Sequence, residues 1–192
     1  MYRTLLLMLI MMSSTFFISC HRDGRLAEIL REMESKPVKL EFDDFPCCIN
    51  GVDTVGYALE RSRYRLVVFI DSAECNSCRL SHLEEWNDWT ELADRNSGDF
   101  SMAFLLQPRV EETSSVLIKM RWASKVYNGI PLFVDKEAEF LKRNFRREIP
   151  TLMHTMLLDS NNMVVYVGDP TRNEHVSEDM KKIVNLNPQI RN

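Results

Sequence analysis

Apolar residues along this chain fall into continuous runs and one-sided runs, and the alternation between them predicts the elements. Leu66 to Ile70 (LVVFI) is unbroken, as a strand buried on both faces should be. Leu80, Leu83, Trp86 and Leu92 then recur on one helical face. Asn96-Ser97-Gly98-Asp99 breaks the chain, and FSMAFLL (100–106) reads as a second buried strand. Pro108 closes that strand before a helix with Val116, Leu117, Met120 and Trp122 inward, which stops at Asn128-Gly129. PLFVD (131–135) makes a third strand and EAEFLKRNF (137–145) a short helix. TLMHTMLLD (151–159) and MVVYVG (163–168) pair as a hairpin through Ser160-Asn161-Asn162, and a last helix spans Glu174 to Asn185. Ahead of all this, VKLEF (38–42) and INGVDTVGY (49–57) read as outer strands punctuated by Pro46, Gly51 and Gly56. Strands alternating with helices predict a parallel α/β core, to which the closing hairpin adds an antiparallel edge.

The first residues follow another rule. MYRTLLLMLIMMSSTFFISC carries one cation, Arg3, then an apolar run broken only by Ser13, Ser14 and Thr15, with no acid before Asp23. That is the layout of an export signal, and the run is too short and broken for a membrane-spanning helix of about 20 apolar residues. Phe17-Ile18-Ser19-Cys20 resembles the lipobox of bacterial lipoproteins, which implies a signal peptide over 1–19 and a diacylated Cys20 as first mature residue. Of 192 residues, 173 then remain, enough for one domain. Residues 20–36 read as a tether with a short helix carrying Leu26, Ile29, Leu30 and Met33, stopped by Pro37, and 37–192 as the domain. The net charge of −4, with both signs mixed along the chain, excludes a nucleic-acid partner. An exported chain meets oxidising conditions, in which thiol pairs can close.

Cys75 and Cys78 lie two residues apart, where the first long strand gives way to a helix. Such a pair can be a reversible disulfide, half of a tetrahedral zinc site, or a purely structural pair. Zinc would need two more ligands, and Cys47 and Cys48 are adjacent instead of spaced by two to four. Those two read as small apolar fillers of a strand end. At a helix start, free backbone N–H groups stabilise a thiolate, so Cys75 is expected to be the exposed nucleophile and Cys78 the shielded resolver. His82 follows one turn beyond Cys78, where a proton shuttle or a solvated side chain would fit.

With VVFIDSAECNSC as strand, five-residue loop and thiol pair, the chain resembles the thioredoxin fold, most closely the TlpA-like branch of exported, membrane-anchored thiol-disulfide proteins. PLFVDKEAEFLKRNF is similar to that branch's extra strand and helix, and TMLLDSNNMVVYVG to its hairpin. The resemblance implies a central mixed sheet flanked by helices, with a C-terminal hairpin and helix. It also implies a redox-active disulfide between Cys75 and Cys78, no other cofactor and no metal, and protein thiols or disulfides as partners. The place implied is the bacterial envelope, facing the periplasm and anchored through Cys20. Three departures stand out: Glu74 for the usual Trp, Asn76-Ser77 for Gly-Pro-like spacers, and Phe69 where thioredoxins bury an Asp. Glu74 places like charge beside the Cys75 thiolate. Two registers compete for the family's cis-proline: EIPTL points to Pro150, whereas counting back from the turn at Asp159 points to Met153 with His154 at the rim. The expected rim is Glu74, Pro150, Met153 and His154. The alternative function is a non-enzymatic copper or thiol-binding module, with His154 joining the two thiols.

Overall fold

The computed structural model describes residues 24–59, 61–127 and 129–185. The expected leader over 1–19 and the expected lipidation residue Cys20 lie outside the described residues. Among the described residues no helix is long and apolar enough to cross a membrane. The chain divides between Lys36 and Pro37 into two units. The first carries helix α1 (24–34), whose last turn is finished by Ser35 Oγ donating to the Glu32 carbonyl at 2.8 Å.

The second unit is built on a seven-stranded sheet. Its strands are β1 (Cys47–Ile49), β2 (Val52–Thr54), β3 (Tyr64–Ile70), β4 (Phe100–Leu106), β5 (Leu132–Val134), β6 (Thr155–Asp159) and β7 (Val164–Val167). They are ordered β2-β1-β5-β4-β3-β6-β7. Strands β3, β4 and β5 are parallel, with Val68 opposite Phe104 and Phe104 opposite Leu132. Strand β6 runs antiparallel to β3 and β7 antiparallel to β6, so the closing hairpin extends the sheet as its pattern predicts. At the other edge Asn50 and Gly51, at φ 55° and 77°, turn β1 into β2. Two successive left-handed residues match the twist of a tight hairpin.

The continuous apolar strands β3 and β4 bury both faces. Leu66, Val68, Ile70 and Phe104 join one cluster with Trp86, Trp89, Val116, Met120 and Met180. On the opposite face Phe69 meets Phe140 with ring centres 5.4 Å apart, and Phe42 meets Phe133 at 4.9 Å. Helices α2 (Asn76–Ser81), α3 (Asn87–Arg95), α4 (Thr113–Val126) and α6 (Glu174–Asn185) feed the first cluster, and α5 (Glu139–Asn144) the second.

Four expectations are corrected. VKLEF forms no strand; it runs beside the sheet, held by Val38 N–H on the Asn162 carbonyl (2.8 Å) and Lys39 N–H on Asn144 Oδ1 (2.7 Å). The helix after the cysteines is broken at His82 (φ −125°, ψ 30°) into α2, a 3-10 turn over Leu83–Trp86, and α3. That break lets Trp89 enter the core while Leu92 is only partly covered. Trp122 points outward at 69% exposure, because the inward stripe of α4 is Val116, Met120 and Ala123. Finally, Thr151–Met153 is a 3-10 turn, so the sixth strand begins only at Thr155.

Candidate functional site

Strand β3 ends at Ile70, at the carboxyl end of the parallel strands, where α/β sheets place their sites. A five-residue loop, DSAEC, follows. Asp71 Oδ1 accepts the N–H groups of Ala73 (2.9 Å) and Glu74 (3.1 Å), folding the loop back on itself. Cys75 then caps α2: its backbone is extended (φ −75°, ψ 93°), and its Sγ accepts the Cys78 N–H at 3.2 Å. Cys75 and Cys78 are joined in a disulfide across 5.2 Å between Cα atoms.

Asn76, which the sequence marks only as an unusual spacer between the cysteines, sets the phase of this helix. Asn76 is fully buried, and its Nδ2 donates to the carbonyls of Asp71 (2.9 Å), Gln107 (3.3 Å) and Glu74 (3.3 Å). With Asn76 and Leu80 inward, one helical turn apart, both Cys75 and Cys78 face solvent. The expected shielding of Cys78 is therefore corrected. A polar side chain immediately after a helix-capping cysteine was the available signal.

Glu74 does not project into solvent beside the disulfide. Its Oε2 lies 3.7 Å from Arg79 Nε and its Oε1 3.6 Å from His154 Nδ1. Arg79, one turn into α2, also reaches Asp169 (3.6 Å) and Glu85 (3.9 Å), so the acid next to the nucleophile candidate comes with its own counter-charge. Arg79 went unnoticed in the sequence, since its partners are scattered over three elements. The backbone N–H of His82 donates to the Arg79 carbonyl at 3.1 Å, but its ring turns to Glu84, with Nδ1 3.2 Å from Oε1.

His154 is 2% exposed, with its ring edge-to-face with Phe69 at 5.0 Å between ring centres. Nε2 lies 3.1 Å from the Ile149 carbonyl and 3.9 Å from Asp71 Oδ2, while Nδ1 has no hydrogen-bond partner among the described residues. Glu74, Arg79, His154, Thr151, Leu152 and Asp169 are among the walls of a cleft of about 490 Å³.

Pro150 is corrected as a cis-proline. Among the described residues no peptide bond is cis, and Pro150 (φ −62°, ψ 146°) caps the Thr151–Met153 turn without lining the cleft. The fixed φ of proline suits such a cap, and the turn it starts separates it from strand β6 by four residues. Met153, two residues before β6, is buried at 5% exposure and also lies off the cleft wall. Of the four expected rim residues, Glu74 and His154 come together.

Cys47 and Cys48 are free thiols buried in β1, opposite Phe133 and Leu132. Burial pushes the Cys47 thiol up to about 12, with the neighbouring Cys48 adding to it. Cys48 is also raised by burial, and its Sγ lies 3.1 Å from Ser124 Oγ.

No protein-family model matches the sequence, and no curated protein matches it. Solved structures do. A thioredoxin-like protein in its oxidised form is similar with a TM-score of 0.51 and 15% identity, over 78% of this chain and 95% of its own. A thiol-disulfide oxidoreductase from Bacteroides fragilis follows with a TM-score of 0.47 and 15% identity, over 77% and 99%. A domain of a possible thiol-disulfide isomerase from Cytophaga hutchinsonii has a TM-score of 0.45 and 16% identity, over 79% and 99%. The fold of this chain is thioredoxin-like, a mixed sheet with helices on both faces.

Proposed function

We propose that this chain is an exported, lipid-anchored thiol-disulfide oxidoreductase of the TlpA-like kind, exchanging electron pairs with other proteins through Cys75 and Cys78. The observation that carries the reading is a solvent-facing disulfide spanning the cap and first turn of α2 on a thioredoxin-like fold. In the reducing direction the Cys75 thiolate attacks a partner disulfide, forming a mixed disulfide and expelling one partner thiolate. The Cys78 thiolate then attacks the Cys75 sulfur, closing the intramolecular bond and releasing the second partner thiolate. Two electrons pass to the partner and none are lost. The Cys78 N–H aimed at Cys75 Sγ supports Cys75 as the attacking sulfur, because it stabilises negative charge there.

Reduction of a disulfide-bonded protein such as insulin tests this. The reduced chain is expected to transfer electrons, Cys75→Ser to abolish transfer, and Cys78→Ser to accumulate a mixed disulfide on Cys75. No transfer by the wild type would overturn the reading. The anchor rests on the FFISC motif alone, and intact mass of the membrane-extracted protein tests it. A diacylated Cys20 is expected; a chain retaining Met1 would refute the anchor.

A further inference from the structure

We propose that Asp71, Glu74 and His154 form a binding site for a divalent transition-metal cation, Zn²⁺ being the simplest, at the wall of the cleft that Glu74 and His154 line. The inference does not depend on thiol exchange, since it holds with both sulfurs bonded to each other.

The ligand atoms of these three residues all lie within 4.8 Å of one another. Two carboxylates near one another would not by themselves make a site, but the imidazole between them adds a specific demand. Nε2 sits 3.1 Å from the Ile149 carbonyl, an acceptor, so Nε2 carries the proton and donates it there. That leaves Nδ1 as a bare lone pair in the neutral ring. Nδ1 is buried, has no hydrogen-bond partner among the described residues, and lies 3.6 Å from Glu74 Oε1. Two acceptors facing each other at this distance in a partly dry cleft repel unless a proton or a metal cation lies between them, and 3.6 Å is too long for a direct hydrogen bond. It is the right length for a bridging metal: bonds of about 2.0–2.2 Å to nitrogen and oxygen in tetrahedral geometry separate neighbouring ligands by roughly 3.4 Å.

The surroundings fit as well. A metal-binding histidine usually donates its other ring N–H to a carbonyl or carboxylate, which fixes the ring, as Ile149 does here. Arg79 engages Glu74 Oε2 and so turns Oε1 toward the imidazole. Asp71 Oδ1 is occupied by two loop N–H groups, leaving Oδ2 free; it lies 3.9 Å from Nε2, the protonated ring nitrogen, and joins a cation on Nδ1 once its carboxylate turns toward Glu74. One nitrogen and two carboxylate oxygens suit a borderline cation better than Cu(I), which prefers sulfur. Three protein ligands leave a fourth position open toward the cleft.

Titration of the oxidised full chain in detergent with Zn²⁺, followed by calorimetry, tests the site, with Co²⁺ absorbance reporting the ligand field. One equivalent is expected to bind while the disulfide is closed, and the Cys75→Ser, Cys78→Ser double variant should bind equally well. Glu74→Gln and His154→Ala should each weaken binding at least about tenfold. Glu74 is accessible, so its variant keeps the test meaningful where the buried His154→Ala fails to fold. No uptake by the oxidised protein, undiminished uptake by Glu74→Gln, or uptake that disappears with the cysteines would each overturn the proposal.

Discussion

At the scale of single residues, the four described cysteines divide by burial. Cys75 and Cys78 are exposed and bonded; Cys47 and Cys48 are buried and free. The Cys47 thiol, pushed up to about 12, keeps its proton in the native state at pH values where the unfolded chain, near the ordinary 9.0, has released it. The unfolded state therefore binds fewer protons above pH 9, and stability falls as pH rises from there toward 12. The slope is at most about 1.4 kcal/mol per pH unit for this group. Urea unfolding at pH ~8 and ~10.5 should show Cys47→Ala losing about 1–2 kcal/mol less than the wild type over that interval. Equal losses would contradict the assignment.

At the scale of elements, buried polar groups place what apolar periodicity leaves undetermined. Asp135, fully buried, accepts the N–H groups of Glu139 (2.9 Å) and Phe140 (2.8 Å) and so anchors the start of α5. Asp135→Ala orphans both donors and should cost about 1–3 kcal/mol in chemical denaturation; a loss below about 0.5 kcal/mol would contradict that role. The tryptophans give the complementary case. Trp86, 1% exposed and edge-on to Phe104, should cost about 3–5 kcal/mol when replaced by Ala, whereas Trp122→Ala should stay within about 0.5 kcal/mol. Thermal melts of the two variants check the contrast. Strands β3 and β4 were legible because strands buried on both faces read as unbroken apolar runs. The exposure of Trp122 was not, because neighbouring positions at helical spacing allow two inward stripes and only packing chooses between them. Nor was the break at His82, since no proline or glycine marks it.

At the scale of the whole molecule, the sheet brings residues distant in sequence to one end. Strand β3 delivers the loop carrying Asp71, Glu74 and Cys75, while the turn entering β6 delivers His154 to its side. The thiol pair could be read from the strand-to-helix junction alone. Its acidic and basic neighbours could not, because Arg79, Asp169 and His154 meet only through the antiparallel pairing of β3, β6 and β7. The proline segment misled for a related reason: EIPTL looks local, but the 3-10 turn it forms moves Pro150 away from the start of the strand. The central claim is that Cys75 and Cys78 form one reversible two-electron couple. Equilibration of the chain in glutathione buffers of stepped potential, followed by acid quenching, alkylation and mass spectrometry, tests it most directly. Cys75 and Cys78 should titrate together along one two-electron curve, approached identically from either side, while Cys47 and Cys48 stay reduced. A pair that stays closed or open across the whole range, or labels as two independent thiols, would contradict the account.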